Sequence, residues 1–309
     1  MLPSNRILLA RAHASNGLAN RLAGLRGALR LAEATNRRLV VEWAAGGQEG
    51  NWLEPADGVG WRLGPGPGAP PPSDLDNVGL RTVASRRAVL RFLDLANTSR
   101  PLVVVSNLWH DLSFVPMGAS NVSVCRGQYA RLLRPSLKLH EMTLDHVVDL
   151  DLEYTPGWTG LQIRRSDHLA NSLERYEHRH EVPLGFHEKQ GIATALQTAL
   201  SPLEYDTLFL TTNSRAVQRY VLQRSPSAHT TSNASHLRHS APRRGYLAPL
   251  LEFMVLSLST RIVGTAGSSF AAEAAYFGNV SDLVLGDWNT FRQLPKAARV
   301  QGARNAPSA

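Results

Sequence analysis

The sequence predicts an α/β protein of two Rossmann-like lobes, each built on a parallel sheet, facing each other across a cleft. Three observations carry this expectation. Apolar runs of strand length alternate with segments of helical periodicity about ten to fifteen residues long, the pattern of βαβ units. The alternation occurs twice, on either side of a Pro/Gly break from Glu153 to Gly157. The length, 309 residues, accommodates two domains of ordinary size. The expected division is an N-terminal lobe over 1–155, a C-terminal lobe over 156–290 and a tail over 291–309.

In the first half, Arg6 to Ala10 is a strand, Asn16-Gly17 a turn, and Leu18 to Ala34 a helix with Leu18, Leu22, Leu25 and Leu29 on one face. Arg38 to Trp43 and Pro101 to Ser106 are apolar runs of the kind buried in parallel sheets. Gly64 to Ser73 alternates Gly and Pro, which breaks helix and ladder alike, so it is a loop. Its prolines also remove the amides a phosphate would need. Ala88 to Ala96 has helical character, and Arg134-Pro135-Ser136 opens a helix from Leu137 to Val148.

In the second half the strands are Thr159–Ile163, Thr207–Thr211, Arg261–Gly264 and Asp282–Leu285. The helices are Pro183–Leu200, Ser214–Leu222, Leu247–Leu258 and Ser268–Phe277, and His229 to Arg244 is a polar loop. Ligands of such folds are expected at the carboxyl ends of the strands.

Composition excludes several classes. With 43% hydrophobic and 19% charged residues the chain is an ordinary globular one and not disordered. The single cysteine, Cys125, rules out a disulfide framework and multi-cysteine metal sites. His178, His180, His236 and His239 come without an Asp-x-Asp type of carboxylate pattern and read as solvated loop histidines, so no metal site is expected. No apolar run reaches the roughly 18 residues of a membrane span, and Ile7 to Ala10 is too short for a signal peptide. That leaves a cytoplasmic protein or a secretory-pathway protein whose anchor lies outside this chain. Asn-x-Ser/Thr sites at Asn97, Asn121, Asn233 and Asn279 do not decide between them.

The net charge is +8, and only Lys138, Lys189 and Lys296 among the 33 basic residues are lysine. Arginine's planar fork suits phosphate and carboxylate, although a GC-rich coding sequence produces the same bias. The basic stretch 236–244 has only Tyr246 beside it and lacks the interleaved aromatics of a nucleic-acid platform. No nucleic-acid partner is expected.

Three segments place chemistry at strand ends. Gly160-Leu161-Gln162-Ile163-Arg164-Arg165-Ser166-Asp167 runs a buried strand straight into two arginines and a carboxylate. One arginine can grip a diphosphate while Asp167 orients its neighbour; an interdomain salt-bridge cluster would use the same residues. Gly264-Thr265-Ala266-Gly267-Ser268-Ser269 is a strand, a small-residue turn and a Ser-capped helix, which suits phosphate and also any routine βα unit. Asn16-Gly17-Leu18-Ala19-Asn20-Arg21-Leu22 opens the first helix and would project Asn20 and Arg21 from the other lobe. A P-loop and a Gly-x-Ser-x-Gly elbow are both absent from the sequence.

Taken together, in this order, the three segments and Arg134-Pro135-Ser136 resemble the GDP-fucose-dependent fucosyltransferases of the two-lobed GT-B type. That superfamily includes the α1,6-fucosyltransferases, bacterial nodulation enzymes among them, and the protein O-fucosyltransferases. The chain departs from the pattern at Gln162, where histidine is frequent, and at Thr211-Thr212-Asn213, where Thr-Asp is usual.

The resemblance implies an inverting, metal-independent glycosyltransferase. It would move fucose from GDP-fucose to a glycan or protein hydroxyl, with no cofactor beyond that donor. Arg164, Arg165, Asp167, Thr265, Ser268 and Ser269 would hold the nucleotide, with Asn20 and Arg21 from the N-terminal lobe. Arg164 and Arg165 would stabilise the departing diphosphate. The base for the acceptor hydroxyl would come from Asp167, Glu174, Glu177, Glu181 or His168, with Glu174 preferred. The competing expectation, favoured by Gln162 and Asn213, is a non-catalytic sugar-nucleotide or glycan-binding module. A third keeps the enzyme and changes the nucleotide sugar.

Overall fold

A computed structural model describes residues 6–12, 17–44, 52–64, 78–80, 102–106, 122–153, 157–165, 183–200, 207–231 and 247–288. They form two compact units. The first comprises Met1–His146, Leu237–Ser257 and Glu273–Ser281; the second comprises Val147–His236, Leu258–Ala272 and Asp282–Ala309.

The first unit is built on a parallel sheet of five described strands: β1 (Ile7–Ala12), β2 (Arg38–Ala44), β4 (Gly60–Gly64), β5 (Val78–Leu80) and β6 (Leu102–Ser106). Their order is β4-β2-β1-β6-β5, with β1 between β2 and β6 and all pairs parallel. Helix α1 (Leu18–Ala34) follows β1 and buries Leu18, Leu22, Leu25 and Leu29, the stripe expected from its leucine spacing. Its end is a Schellman motif: Asn36 takes φ 49°, its N–H reaches the Glu33 carbonyl, and the Arg37 N–H reaches Ala32 at 2.8 Å. A small antiparallel ribbon joins β3 (Leu53–Pro55) to β7 (Leu133–Pro135).

Helix α2 (Val122–Leu132) precedes β7, and α3 (Leu137–Asp149) follows it. Ser136 caps α3 by accepting from the Leu139 N–H at 3.2 Å, so the Arg-Pro-Ser segment opens a helix, as expected. Helix α6 (Leu247–Ser257) also belongs to the first unit, although it comes from the second half of the chain. Leu250, Phe253, Met254, Val255 and Leu256 are all buried, so this strongly apolar helix is covered over most of its surface.

The second unit carries β8 (Thr159–Ile163), β9 (Leu208–Thr212), β10 (Ala228–Thr230), β11 (Arg261–Thr265) and β12 (Asp282–Gly286), all parallel. The order is β10-β9-β8-β11-β12. The chain therefore winds outward from β8 in one direction through β9 and β10, then returns to the other side at β11. That reversal between β8 and β11 is a topological switch point, where open α/β sheets bind ligands at their carboxyl edge. Both β8 and β9 are buried along their whole length. They pack with α4 (Phe186–Leu200) and α5 (Arg215–Arg224) through Leu161, Ile163, Ile192, Leu196, Leu210, Val217 and Val221. Helix α7 (Ser269–Gly278) follows β11.

Several expectations are corrected. The segment read as a loop from His229 starts inside β10, Gly64 closes β4, and α2, β3, β5 and β7 were not anticipated. Three-residue strands are too short to carry a period-2 signal. The segment Val122–Leu132 mixes β-branched residues and a glycine, which mask a helix. The expected helix at 88–96 and the rest of the Gly/Pro loop, 65–73, lie outside the described residues.

Candidate functional site

The switch point of the second unit brings the two main sequence motifs together. Thr265, the last residue of β11, bonds back to β8 three times. Its N–H donates to Gln162 Oε1 at 3.4 Å, its hydroxyl donates to the Gln162 carbonyl at 3.3 Å, and it accepts the Arg164 N–H at 3.0 Å. Gln162 is buried, so its uncharged amide serves as an internal splice between two strands. A histidine at this position is therefore dispensable for the local architecture.

After Thr265 the chain turns through Ala266 and Gly267, where φ is +77°, and the Ser268 N–H closes the turn on the Thr265 carbonyl at 3.0 Å. Glycine is required at that third turn position. A side chain on Gly264 would run into Ala271 of α7 and come within 3.1 Å of Leu285, so the bare backbone lets helix and strand approach closely. The turn thus delivers the N-terminal amides and positive dipole end of α7 to the carboxyl edge of the sheet. Ser268 was expected to cap α7 through its hydroxyl. Instead Ser268 Oγ is buried and has no hydrogen-bond partner among the described residues. A buried hydroxyl without a partner at an anion-attracting helix start is an available donor. Ser269 is half-buried in the first turn.

Arg164 and Arg165 leave the end of β8 differently. Arg164 is half-buried, with its amide tied to Thr265. Arg165 is buried at 8% exposure and gripped on several sides. Its Nε donates to Glu188 Oε1 at 2.8 Å and its Nη2 to Glu188 Oε2 at 3.1 Å and to the Pro183 carbonyl at 3.1 Å. Its main chain is clamped by Asn213, whose Oδ1 accepts the Arg165 N–H at 2.8 Å while Nδ2 donates to the Arg165 carbonyl at 2.9 Å. An aspartate could accept the first of these bonds but could not donate the second. Asn213 therefore has a structural reason to be an amide.

Glu188 was not anticipated. It is the third residue of α4, where its Oε2 also accepts the Gly185 N–H at 2.8 Å, the glutamate half of a capping box. The signal for it was present as a glutamate three residues after Gly185 at a helix start. Its pairing with Arg165 was not visible. Asp167, expected to orient the arginine pair, and Glu174, the expected base, lie outside the described residues, as do Glu177, Glu181 and His168. Histidines 178, 180, 236 and 239 do too. Asn20 and Arg21 stand in the first turn of α1 in the first unit, Asn20 half-buried and Arg21 buried at 4% exposure. Gly17 supplies the N-cap position there without a side-chain bond.

The first unit also contains a buried polar cluster that the sequence did not disclose. Arg26 donates from Nε and Nη2 to the two oxygens of Glu273, at 2.9 and 2.7 Å, and from Nη1 to Gln128 at 3.2 Å and the Cys125 sulfur at 3.1 Å. The Tyr129 hydroxyl makes a short hydrogen bond to Glu273 Oε2, and Arg26 stacks over the Tyr276 ring at 4.9 Å. Burial opposes the Arg26 charge, yet the Glu273 hydrogen bonds and charge outweigh it and hold the guanidinium protonated. Burial, then the negative charge of Glu273, pushes the Tyr129 hydroxyl well above its usual range.

No family model matches the sequence, and no curated protein matches it. Solved structures do match its fold. Arabidopsis thaliana FUT1 in complex with GDP superposes with a TM-score of 0.61 at 15% identity, over 92% of this chain and 72% of that one. The Bradyrhizobium NodZ α-1,6-fucosyltransferase soaked with GDP-fucose gives 0.55 at 13% identity, over 88% of this chain and 92% of that one. POFUT1 in complex with GDP-fucose gives 0.52 at 10% identity, covering 92% of this chain and 98% of that one. The fold of this chain is the GT-B type of these fucosyltransferases.

Proposed function

We propose that the chain is a glycosyltransferase that moves fucose from GDP-fucose to a hydroxyl of a glycan or protein acceptor, with inversion and without a metal. The observation that carries this reading is the splice at Thr265. Through it, the arginine pair after β8 and the N-terminus of α7 converge on one switch point, with the buried Ser268 hydroxyl at the same turn. A nucleoside diphosphate is the ligand that such a set of cation, amides and hydroxyl suits. Folds of the same type solved with GDP or GDP-fucose support the choice of guanosine and fucose.

In the proposed reaction the acceptor oxygen attacks the anomeric carbon as the bond to the β-phosphate breaks. Negative charge grows on the departing GDP while the sugar becomes oxocarbenium-like. Arg164 and the Ser268 hydroxyl, at the positive dipole end of α7, meet that charge as it develops, which lowers the barrier more than it stabilises bound donor. Fixed cations and dipoles thereby take the part a divalent ion plays in other transferases. The acceptor proton passes to a carboxylate of the segment after Asp167, with Glu174 as our assignment. Arg21 and Asn20 are our candidates for contributions from the first unit.

Calorimetry with GDP, followed by a GDP-fucose turnover assay with and without EDTA, tests the reading. Binding of GDP and EDTA-resistant release of GDP from GDP-fucose are the expected results. Binding without turnover would turn the reading to a sugar-nucleotide binding module, and absence of GDP binding would remove both.

A further inference from the structure

Arg165, the second of the two arginines after β8, is held by Glu188. Glu188 takes Arg165 by Nε and Nη2 at 2.8 and 3.1 Å, and it is itself held by the Gly185 N–H. Their side chains are only 9% and 12% exposed, so the pair is nearly out of water. The Pro183 carbonyl and both polar atoms of Asn213 also hold Arg165.

We propose that Glu188 tunes the charge of the donor site: it neutralises Arg165, so that Arg164 is the arginine whose charge the diphosphate meets. This rests on the nucleotide-diphosphate reading above and divides the labour within it. A guanidinium in bidentate contact with a carboxylate presents little net charge to a third group. The carboxylate of Glu188 also subtracts from the positive field that the nucleotide meets.

The proposal has a signed electrostatic consequence. In Arg165→Gln, Glu188 remains as a nearly buried, uncompensated anion beside the diphosphate, and breaking such a pair from one side is the costly route. GDP affinity should fall by about tenfold or more in Arg165→Gln. Adding Glu188→Gln to that variant removes the stranded charge, and most of the lost affinity should return. Glu188→Gln alone keeps an oxygen for the Gly185 N–H but deletes a negative charge, so it should tighten GDP by about two- to tenfold, as expected for one charge acting over several ångströms. A purely structural Glu188 would weaken GDP or leave it unchanged.

The experiment is GDP calorimetry on the full chain and these three variants, with melting temperatures measured alongside. A double variant that is folded yet as weak as Arg165→Gln overturns the proposal, because Arg165 then contacts the nucleotide itself. Weaker GDP binding by Glu188→Gln at unchanged melting temperature also overturns it, and that variant serves if Arg165→Gln does not fold. Failure of the unsubstituted chain to bind GDP removes the functional reading and this proposal with it. Wild-type binding with either overturning result removes this proposal alone.

Discussion

Arg26 of α1 and Glu273 of α7 are 247 residues apart in sequence and form a two-pronged ion pair at 2.7 and 2.9 Å, each side chain only 5% exposed. Tyr129, Gln128 and Cys125 of α2 close around the pair. The first helix of the chain and its last described helix are thus tied by charge. Leaving either charge alone in such a place is costly. Glu273→Ala, which strands Arg26, should lower unfolding free energy by about 3–5 kcal/mol, measured by urea denaturation. A loss below 1 kcal/mol would mean that water reaches the site.

Tyr129 makes the same cluster sensitive to alkali. Its folded-state pKa is raised above the ordinary value of 10.0 by burial and then by Glu273. The folded state thus keeps a proton that the unfolded chain gives up. The associated stability is present in full below about pH 10 and is lost as pH rises from there through the folded pKa. Tyr129→Phe should remove this dependence, so wild-type and variant stability curves converge above pH 10. Parallel curves across that range would contradict the assignment.

Arg164 should be the more sensitive of the two arginines in catalysis. Arg164→Ala is expected to lower fucose transfer by about 10²–10³-fold, the effect of losing one donor to developing negative charge. Arg164→Lys should recover little, because lysine lacks the planar fork. Steady-state kinetics with the purified variants checks both expectations.

Gly264 should tolerate no side chain. The added methyl of Gly264→Ala meets Ala271 and Leu285 and must push α7 away from β11. The expected cost is about 1–3 kcal/mol of stability, accompanied by weaker GDP binding because the α7 amides shift. Intact GDP affinity in a destabilised variant would detach the α7 amides from the donor site.

If Glu174 takes the acceptor proton, Glu174→Gln should cut kcat by about 10²–10⁴-fold while GDP affinity stays constant. The same substitution at Glu177 or Glu181 should have a much smaller effect. A larger loss at either position would move the base there.

Much of the architecture was legible in the residues. Val263 and Leu161 lie on neighbouring buried strands, and the Leu18–Leu29 stripe lies on one helix face, because apolar periodicity reports local burial directly. The motifs were also placed correctly on strand ends, since Gly267 and the apolar runs before Arg164 and Thr265 are local signals. The partnership of those motifs was not local. Nothing in the spacing of Gln162, Arg164 and Thr265 states that the two strands are neighbours; the sheet order β9-β8-β11 does.

The sequence by itself determined most of the longer strands and helices, the turn that opens α7 and the residue types at the proposed donor site. It could not determine which carboxylate an arginine meets. Every arginine offers the same fork to any acid, and only the fold brought Glu188 to Arg165 and Glu273 to Arg26 while leaving the Ser268 hydroxyl without a protein partner among the described residues. Those pairings depend on distances across the fold, where the low dielectric makes one neighbouring charge decisive, and no periodicity along the chain encodes them.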